Sequence, residues 1–343
     1  MLRALLLLAT LVACSSEPPR DLLAELGAPG PYAVGYRSMP VTYAEPITGA
    51  MRTTEVLAWY PAEKTTGDHP LYLLRVSDVA VTDAPALDLG VLPVVVFSHG
   101  HQAYASVMSY FMEHLASHGF LVLAPQHTGN GFADGDNRQT DIYYLRAHDV
   151  RAALDRMGSG GPALIMGHSF GGYTALALAG ATYDVNTLGP ACTSSTGPGG
   201  YCSTLTSAKE ALFRAGLRDP RFTGVFALDP GDFNLFGASG VGAVQLPTLH
   251  MVAEKSDDPF WPAMRAPDRA HVILKGGDHN DFTDSCGAGV DLRCSTLEPA
   301  RVRPIVNIYG LAFAQKVLLD DESVAPILDG TLVVSPLAEF KRP

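Results

Sequence analysis

The stretch Pro162-Ala-Leu-Ile-Met-Gly-His-Ser-Phe-Gly-Gly-Tyr173 constrains the fold more than any other. An apolar run breaks at glycine, presents a serine and continues into Thr174-Ala-Leu-Ala-Leu-Ala179, the pattern of a buried strand, a sharp turn and the start of a helix. Gly167-x-Ser169-x-Gly171 fits a nucleophile elbow, in which small residues flank a serine on a tight, strained turn. Such a motif is only moderately specific by itself, because any glycine-rich loop can contain a serine. The strand before it and the helix after it give it weight and make Ser169 the candidate nucleophile.

The surrounding chain alternates in the same way. Tyr32 to Tyr43 and Met51 to Tyr60 carry β-branched and aromatic residues and read as antiparallel strands at a sheet edge, and residues 61–90 read as loop with one short strand. Apolar runs at Leu92–Phe97, Phe120–Ala124, Phe222–Leu228, Pro247–Ala253 and Ala270–Leu274 suit buried parallel strands. Helical spacing appears over Ala103–His118, Asp141–Met157 and about Arg301–Asp320, and Leu332–Ser335 remains as a terminal strand or coil. The expected class is α/β: one doubly wound, mostly parallel sheet with helices on both faces. Ligands of such sheets bind at the carboxyl ends of the strands, where Ser169 would sit. Residues 183–221, with a helix expected at Ser207–Ala215, interrupt the alternation either as a cap over the site or as a surface excursion.

The first thirteen residues pair Arg3 with a short apolar run, Ala4 to Ala13, too short to cross a bilayer core and typical of an export signal. Leu11-Val-Ala-Cys14 resembles the lipobox of bacterial lipoproteins, which implies cleavage before Cys14, a lipid on that residue, and a bacterial cell-envelope location on the periplasmic or surface side. Residues 14–30 read as a tether and 31–343 as the folded domain. The other four cysteines suggest two disulfides between near neighbours, Cys192–Cys202 and Cys286–Cys294, and no Cys-x-x-Cys spacing favours zinc. With 24 basic against 35 acidic residues, a net charge of −11 repels polyanions, so nucleic acid is not an expected partner.

A serine nucleophile needs a base, and the base needs an acid to hold its tautomer. Of the 11 histidines, only His250, His271 and His279 follow Ser169. The first two lie inside apolar runs and read as packed residues, whereas His279 lies in the polar turn Gly276-Gly-Asp-His-Asn-Asp-Phe282 and is the expected base. Asp229, ending Val225-Phe-Ala-Leu-Asp229, is one candidate acid, and Asp257 and Asp258, after the next strand, are others; Asp278 reads as a turn residue. For the oxyanion, the expected donors are the backbone N–H groups of Phe170 and His101, the second from the loop Ser98-His-Gly-His-Gln102. The His101 ring is expected to face solvent, with contact to substrate as the alternative, His99 to be bonded beneath the loop, and His127 to line the cleft or serve as a loop residue.

Taken in order, Gly30-Pro-Tyr-Ala-Val-Gly35, Val94-Val-Val-Phe-Ser-His-Gly100, His114-Leu-Ala-Ser-His-Gly-Phe120, Gly167-His-Ser-Phe-Gly-Gly172, Phe226-Ala-Leu-Asp229 and His279-Asn-Asp-Phe282 resemble the α/β-hydrolases. Within them the chain resembles the group containing platelet-activating-factor acetylhydrolase and predicted dienelactone-hydrolase-like proteins, and bacterial cutinases and polyester hydrolases look like a second, more distant relative. The resemblance implies Asp229 as the acid, since acetylhydrolase-like enzymes carry it in the Ala-Leu-Asp segment. Cutinase-like enzymes carry it one strand later, where this chain has Ser256, with Asp257 shifted by one. The implied activity is serine-dependent hydrolysis of lipid-like or other hydrophobic carboxylic esters by a monomer without metal or organic cofactor. A peptidase, amidase or acyltransferase on the same residues, or a noncatalytic binding protein, are the alternatives. The 183–221 insertion departs from the acetylhydrolase pattern, so its short-acyl phospholipid specificity does not carry over.

Overall fold

The computed structural model describes residues 20–73, 75–134, 140–158, 160–184, 205–289 and 292–341. Ten strands form one sheet in the order β10-β9-β8-β7-β6-β4-β5-β2-β1-β3. β1 (Ala33–Ala44) and β2 (Met51–Ala62) form a long antiparallel pair, and β3 (Ala80–Thr82) adds to β1 at the edge. β4 (Val94–Ser98), β5 (Leu121–Pro125), β6 (Ala163–His168), β7 (Phe222–Leu228), β8 (Thr248–Ala253) and β9 (Arg269–Leu274) run parallel, and β10 (Ala338–Lys341) closes the far edge antiparallel to β9.

The parallel strands are covered on both faces, which is why their sequences are unbroken apolar runs. Successive side chains alternate between two cores: Val94, Val96 and Ile165 enter one, and Val95, Phe97 and Met166 the other. The first core is completed by α3 (Thr140–Met157) and α4 (Phe170–Ala179). The second is completed by α2 (Ser109–Ser117) and by a long helix, Pro299–Leu319. Each fully buried Val, Leu or Phe contributes roughly 1.5–3 kcal/mol, so these central strands are the most stable part of the domain. The chain passes from β4 to β5 on one side, then crosses to β6 on the other, and this switch opens a crevice at the carboxyl ends of β4 and β6.

Several expectations need correction. The helix expected from Ala103 begins only at Ser109, because Gln102 adopts φ 51° and the chain runs through single turns at Tyr104–Val107 and Ser106–Ser109 first. Of the two readings of Leu332–Ser335 coil is the one found, and a terminal strand not expected lies further on, at Ala338–Lys341, where it meets the open edge of β9. The described part of the 14–30 segment is no loose tether, since α1 (Leu22–Gly27), capped by the Asp21 side chain, buries Leu26 completely. In the 183–221 insertion, α5 (Ser207–Ala215) packs Phe213 against Tyr144 and Tyr183, on the α3 side of the sheet.

Cys286 and Cys294 form a disulfide with Cα atoms 5.7 Å apart. The expected Cys192–Cys202 pair, the signal segment 1–13 and Cys14 lie outside the described residues. Among the described residues no helix is long and apolar enough to cross a membrane.

Candidate active site

Ser169 sits between the end of β6 and the start of α4 with φ 58° and ψ −121°, a conformation that L-residues adopt only under constraint. The flanking glycines explain how the turn closes. A Cβ on Gly171 would lie 1.7 Å from the Ser98 carbonyl oxygen, and one on Gly167 would lie 2.0 Å from the Gly171 carbonyl oxygen. Ser169 N–H donates to the Leu228 carbonyl at 3.0 Å, and the Ser169 carbonyl accepts from Gly231 N–H at 3.0 Å, so the elbow is tied to the end of β7.

At that end Asp229, also at positive φ (41°), is nearly buried. Its Oδ2 accepts the His279 Nδ1–H at 2.5 Å and the Ser256 hydroxyl at 2.6 Å. With Nδ1 committed to Asp229, Nε2 is the His279 nitrogen left to exchange a proton. The His279 backbone is held as well. Asp278 caps the 3₁₀ turn His279–Phe282 in a reciprocal capping box with Asp281, and the His168 ring donates to the His279 carbonyl at 2.8 Å. Burial, reinforced by the neighbouring His279, pushes His168 down to about 3, so it remains a neutral donor.

The structure separates the three candidate acids. Asp257 is exposed, and Asp258 faces His250 at 3.0 Å and His271 at 3.3 Å; Asp229 is the carboxylate bonded to His279. Burial alone would raise the Asp258 carboxyl, but the two histidines and the Trp261 N–H outweigh it and hold its pKa well below the usual range. Asp278 is the turn cap its sequence position indicated.

Ser169 and His279 line one cavity of about 520 Å³ with Gly100, His101, Gln102 and His168. Its apolar lining is made by Leu73, Ala103, Tyr104, Val107, Phe132 and Leu292, and Asn280, Thr283, Ser285 and Arg293 add polar groups. Among the described lining residues none is a carboxylate, and Arg293 is the fully charged one. None of the described insertion residues 205–221 lines the cavity.

Phe170 occupies the first position of α4, where a backbone N–H has no partner within the helix. On the opposite side, the turn Gly100–Ala103 presents His101, and Gly100 packs so closely that a Cβ there would lie 3.2 Å from the Ser169 Cβ. The His101 ring does not simply face solvent. Asn130 Nδ2–H donates to its Nδ1 at 2.8 Å, which places the ring proton on Nε2, and the residue lines the cavity.

Beneath this loop lies a buried polar network that sequence reading missed. Arg146, on the inner face of α3, donates to Asn130 Oδ1 (2.7 Å), Ser98 Oγ (3.1 Å), Thr174 Oγ1 (3.1 Å) and the His99 carbonyl, and lies over the Phe170 ring. Burial pushes its pKa down to about 9 despite the charge of nearby Asp149. Asp149 in turn accepts from Arg52, Tyr43 and His127, and the Ser98 hydroxyl bonds the other His127 nitrogen. His127 therefore neither lines the cleft nor serves as plain loop: it is fully buried structure. His99 is bonded beneath the loop to the Gln126 carbonyl. The available signal was a charged pair, Arg146 and Asp149, spaced by three on the apolar face of α3.

Residues 91–197 match the family model described as serine aminopeptidase, S33 (Hydrolase_4). Among solved structures, a ferulic acid esterase from Streptomyces cinnamoneus matches with a TM-score of 0.65 and 19% identity, covering 95% of this chain and 98% of that one. The chain has the α/β-hydrolase fold. No curated protein sequence matches it. In an α/β-hydrolase the nucleophile, acid and base follow one another in the chain, the order in which Ser169, Asp229 and His279 occur.

Proposed function

We propose that this α/β-hydrolase cleaves carboxylic esters through an acyl-enzyme on Ser169. The observation that carries the proposal is the bond from Asp229 to His279, which lines the same cavity as Ser169. Ser169 Oγ attacks the ester carbonyl while His279 Nε2 takes its proton, and Asp229 stabilises the imidazolium through Nδ1–H. The N–H groups of Phe170 and His101 receive the developing oxyanion. His279 then gives the proton to the departing alkoxide, leaving Ser169 acylated. Water, deprotonated by the same histidine, attacks the acyl-enzyme and returns Ser169 to its starting state.

The wall of Leu73, Tyr104, Val107, Phe132 and Leu292 favours an uncharged apolar or aromatic ester, and the esterase likeness supports the same bond type. The aminopeptidase name of the matching family points to a second reading, amide hydrolysis at a free amino terminus. The apolar lining favours the ester over it: a terminal ammonium needs an anionic partner, and the described lining residues present Leu73, Tyr104, Val107, Phe132 and Leu292 with the cationic Arg293. Export as a lipid-anchored envelope protein rests on the Leu11–Cys14 segment and remains part of the proposal.

A panel of p-nitrophenyl esters of graded acyl length and aryl esters, run beside aminoacyl p-nitroanilides, tests the assignment. Ester turnover with a preference for apolar acyl or aryl groups is expected. Faster cleavage of the anilides would overturn it.

A further inference from the structure

Away from the Ser169 cavity, His250, Asp258 and His271 bring one ligand atom each to within 4.8 Å of one another. His250 and His271 are register partners on the parallel strands β8 and β9, so their side chains leave the same face of the sheet. Asp258 arrives from the loop after β8. Nε2 of His250 lies 3.0 Å from Oδ1 of Asp258, and Nε2 of His271 lies 3.3 Å from Oδ2, so the two rings turn the same nitrogen towards opposite oxygens of one carboxylate.

Hydrogen bonding accounts for only part of this cluster. The His250 contact is a hydrogen bond, but neither ring nitrogen of the buried His271 has a hydrogen-bond partner, and the 3.3 Å contact lacks the alignment of one. Two unsatisfied nitrogens on a buried imidazole are costly unless something else satisfies them. Among the described residues no lysine or arginine pairs with Asp258: Arg269 lies over the Trp261 ring, and Lys341 pairs with Glu339. Trp261 closes the cluster, its ring 4.5 Å from that of His271.

We propose that His250 Nε2, His271 Nε2 and one Asp258 oxygen bind a zinc ion. Two neutral imidazoles and a carboxylate form a donor set that zinc accepts with water in the fourth position. Neighbouring ligand atoms around tetrahedral zinc lie about 3.3–3.5 Å apart; whichever Asp258 oxygen is the ligand, one ring nitrogen already stands 3.0 or 3.3 Å from it, and the three ligand atoms lie within 4.8 Å of one another. The ion would use the His271 lone pair that no hydrogen bond uses, would replace the His250 Nε2–H bond to Asp258 with the ring proton moved to the unpartnered Nδ1, and would offset the charge of Asp258. Its effect would be on position: Ser256, two residues before Asp258, donates to Asp229, and an ion fastening the loop to β8 and β9 would hold that donor in place. The proposal does not depend on which bond Ser169 cleaves.

The full chain is stripped with EDTA, dialysed and titrated with Zn²⁺ by calorimetry, with Co²⁺ as a spectroscopic probe. The expected result is saturable uptake of one Zn²⁺ per chain, visible Co²⁺ d–d absorption, and a Tm that rises with Zn²⁺. Asp258→Asn and His271→Gln should each weaken uptake at least tenfold, whereas His148→Gln should not. No saturable uptake by the stripped wild type, a measurement that needs no variant to fold, overturns the proposal. Equal uptake by wild type and folded Asp258→Asn overturns it as well.

Discussion

Ser256 Oγ donates to Asp229 Oδ2 at 2.6 Å. The same oxygen accepts the His279 Nδ1–H, so a loop from the next strand holds the carboxylate bonded to the proposed base. Ser256→Ala should therefore lower kcat about 3- to 10-fold with little change in KM, the cost of one charge-assisted hydrogen bond that acts through Asp229. Asp229→Asn should lower kcat on the order of 10⁴-fold, as for a triad acid, and Asp257→Asn should leave it unchanged. A larger loss in Asp257→Asn than in Asp229→Asn would contradict the assignment of the acid.

Arg146 supports the loop opposite Ser169 from below. Arg146→Met removes the donor from the His99 carbonyl, Asn130 Oδ1 and Ser98 Oγ at once, leaving buried acceptors unpaired. The expected loss is about 3–5 kcal/mol in urea unfolding. Arg146→Lys should recover little, because a single ammonium cannot span the same fork of acceptors. A loss of less than about 1 kcal/mol in Arg146→Met would show the network to be incidental.

Acid should destabilise the domain through its buried histidines. Burial, with the charge of His118 beside it, holds His114 at about 4, and burial with the charge of Arg151 holds His148 at about 4, both below the ordinary 6.5. Between those values the unfolded chain binds protons that the folded chain refuses, so stability rises with pH there. The contribution is complete above about pH 6.5 and is lost as the pH falls towards about 4. A Tm that declines steadily over this range is expected, with a shallower decline in His114→Gln. A flat Tm would contradict it.

The Cys286–Cys294 disulfide closes a loop of sequence separation 8 that carries the lining residues Leu292 and Arg293. Replacing both cysteines by serine should cost about 2–3 kcal/mol of stability through the freed unfolded chain. KM for an apolar ester should rise severalfold while kcat stays within about twofold, since the bridge holds two lining residues and includes none of the reacting groups. An unchanged KM would separate this loop from substrate binding.

The buried strands were legible because a strand covered on both faces must be apolar throughout, as Val94–Phe97 and Ala163–Met166 are. Ser169 was legible because two glycines must flank it for the backbone to pass so close. The choice among Asp229, Asp257 and Asp258 was not legible from spacing alone, since all three follow strand ends; the resemblance favoured Asp229, and which carboxylate meets His279 depends on how the strands sit side by side. Arg146 was hidden for a different reason. A charge on an apolar helix face signals a buried partner but not which one, and here the partners come from β4, the loop after β5, and α4. The start of α2 was overestimated because Tyr104 and Val107 have helical spacing, yet they serve as cavity wall.

The central claim is that Ser169 is a nucleophile activated by His279. Intact-mass measurement after treatment with a fluorophosphonate tests it most directly. One adduct per chain, mapping to Ser169, lost in Ser169→Ala and strongly slowed in His279→Ala, is the predicted result. An unlabelled wild type, or an adduct that persists in folded Ser169→Ala, would contradict it.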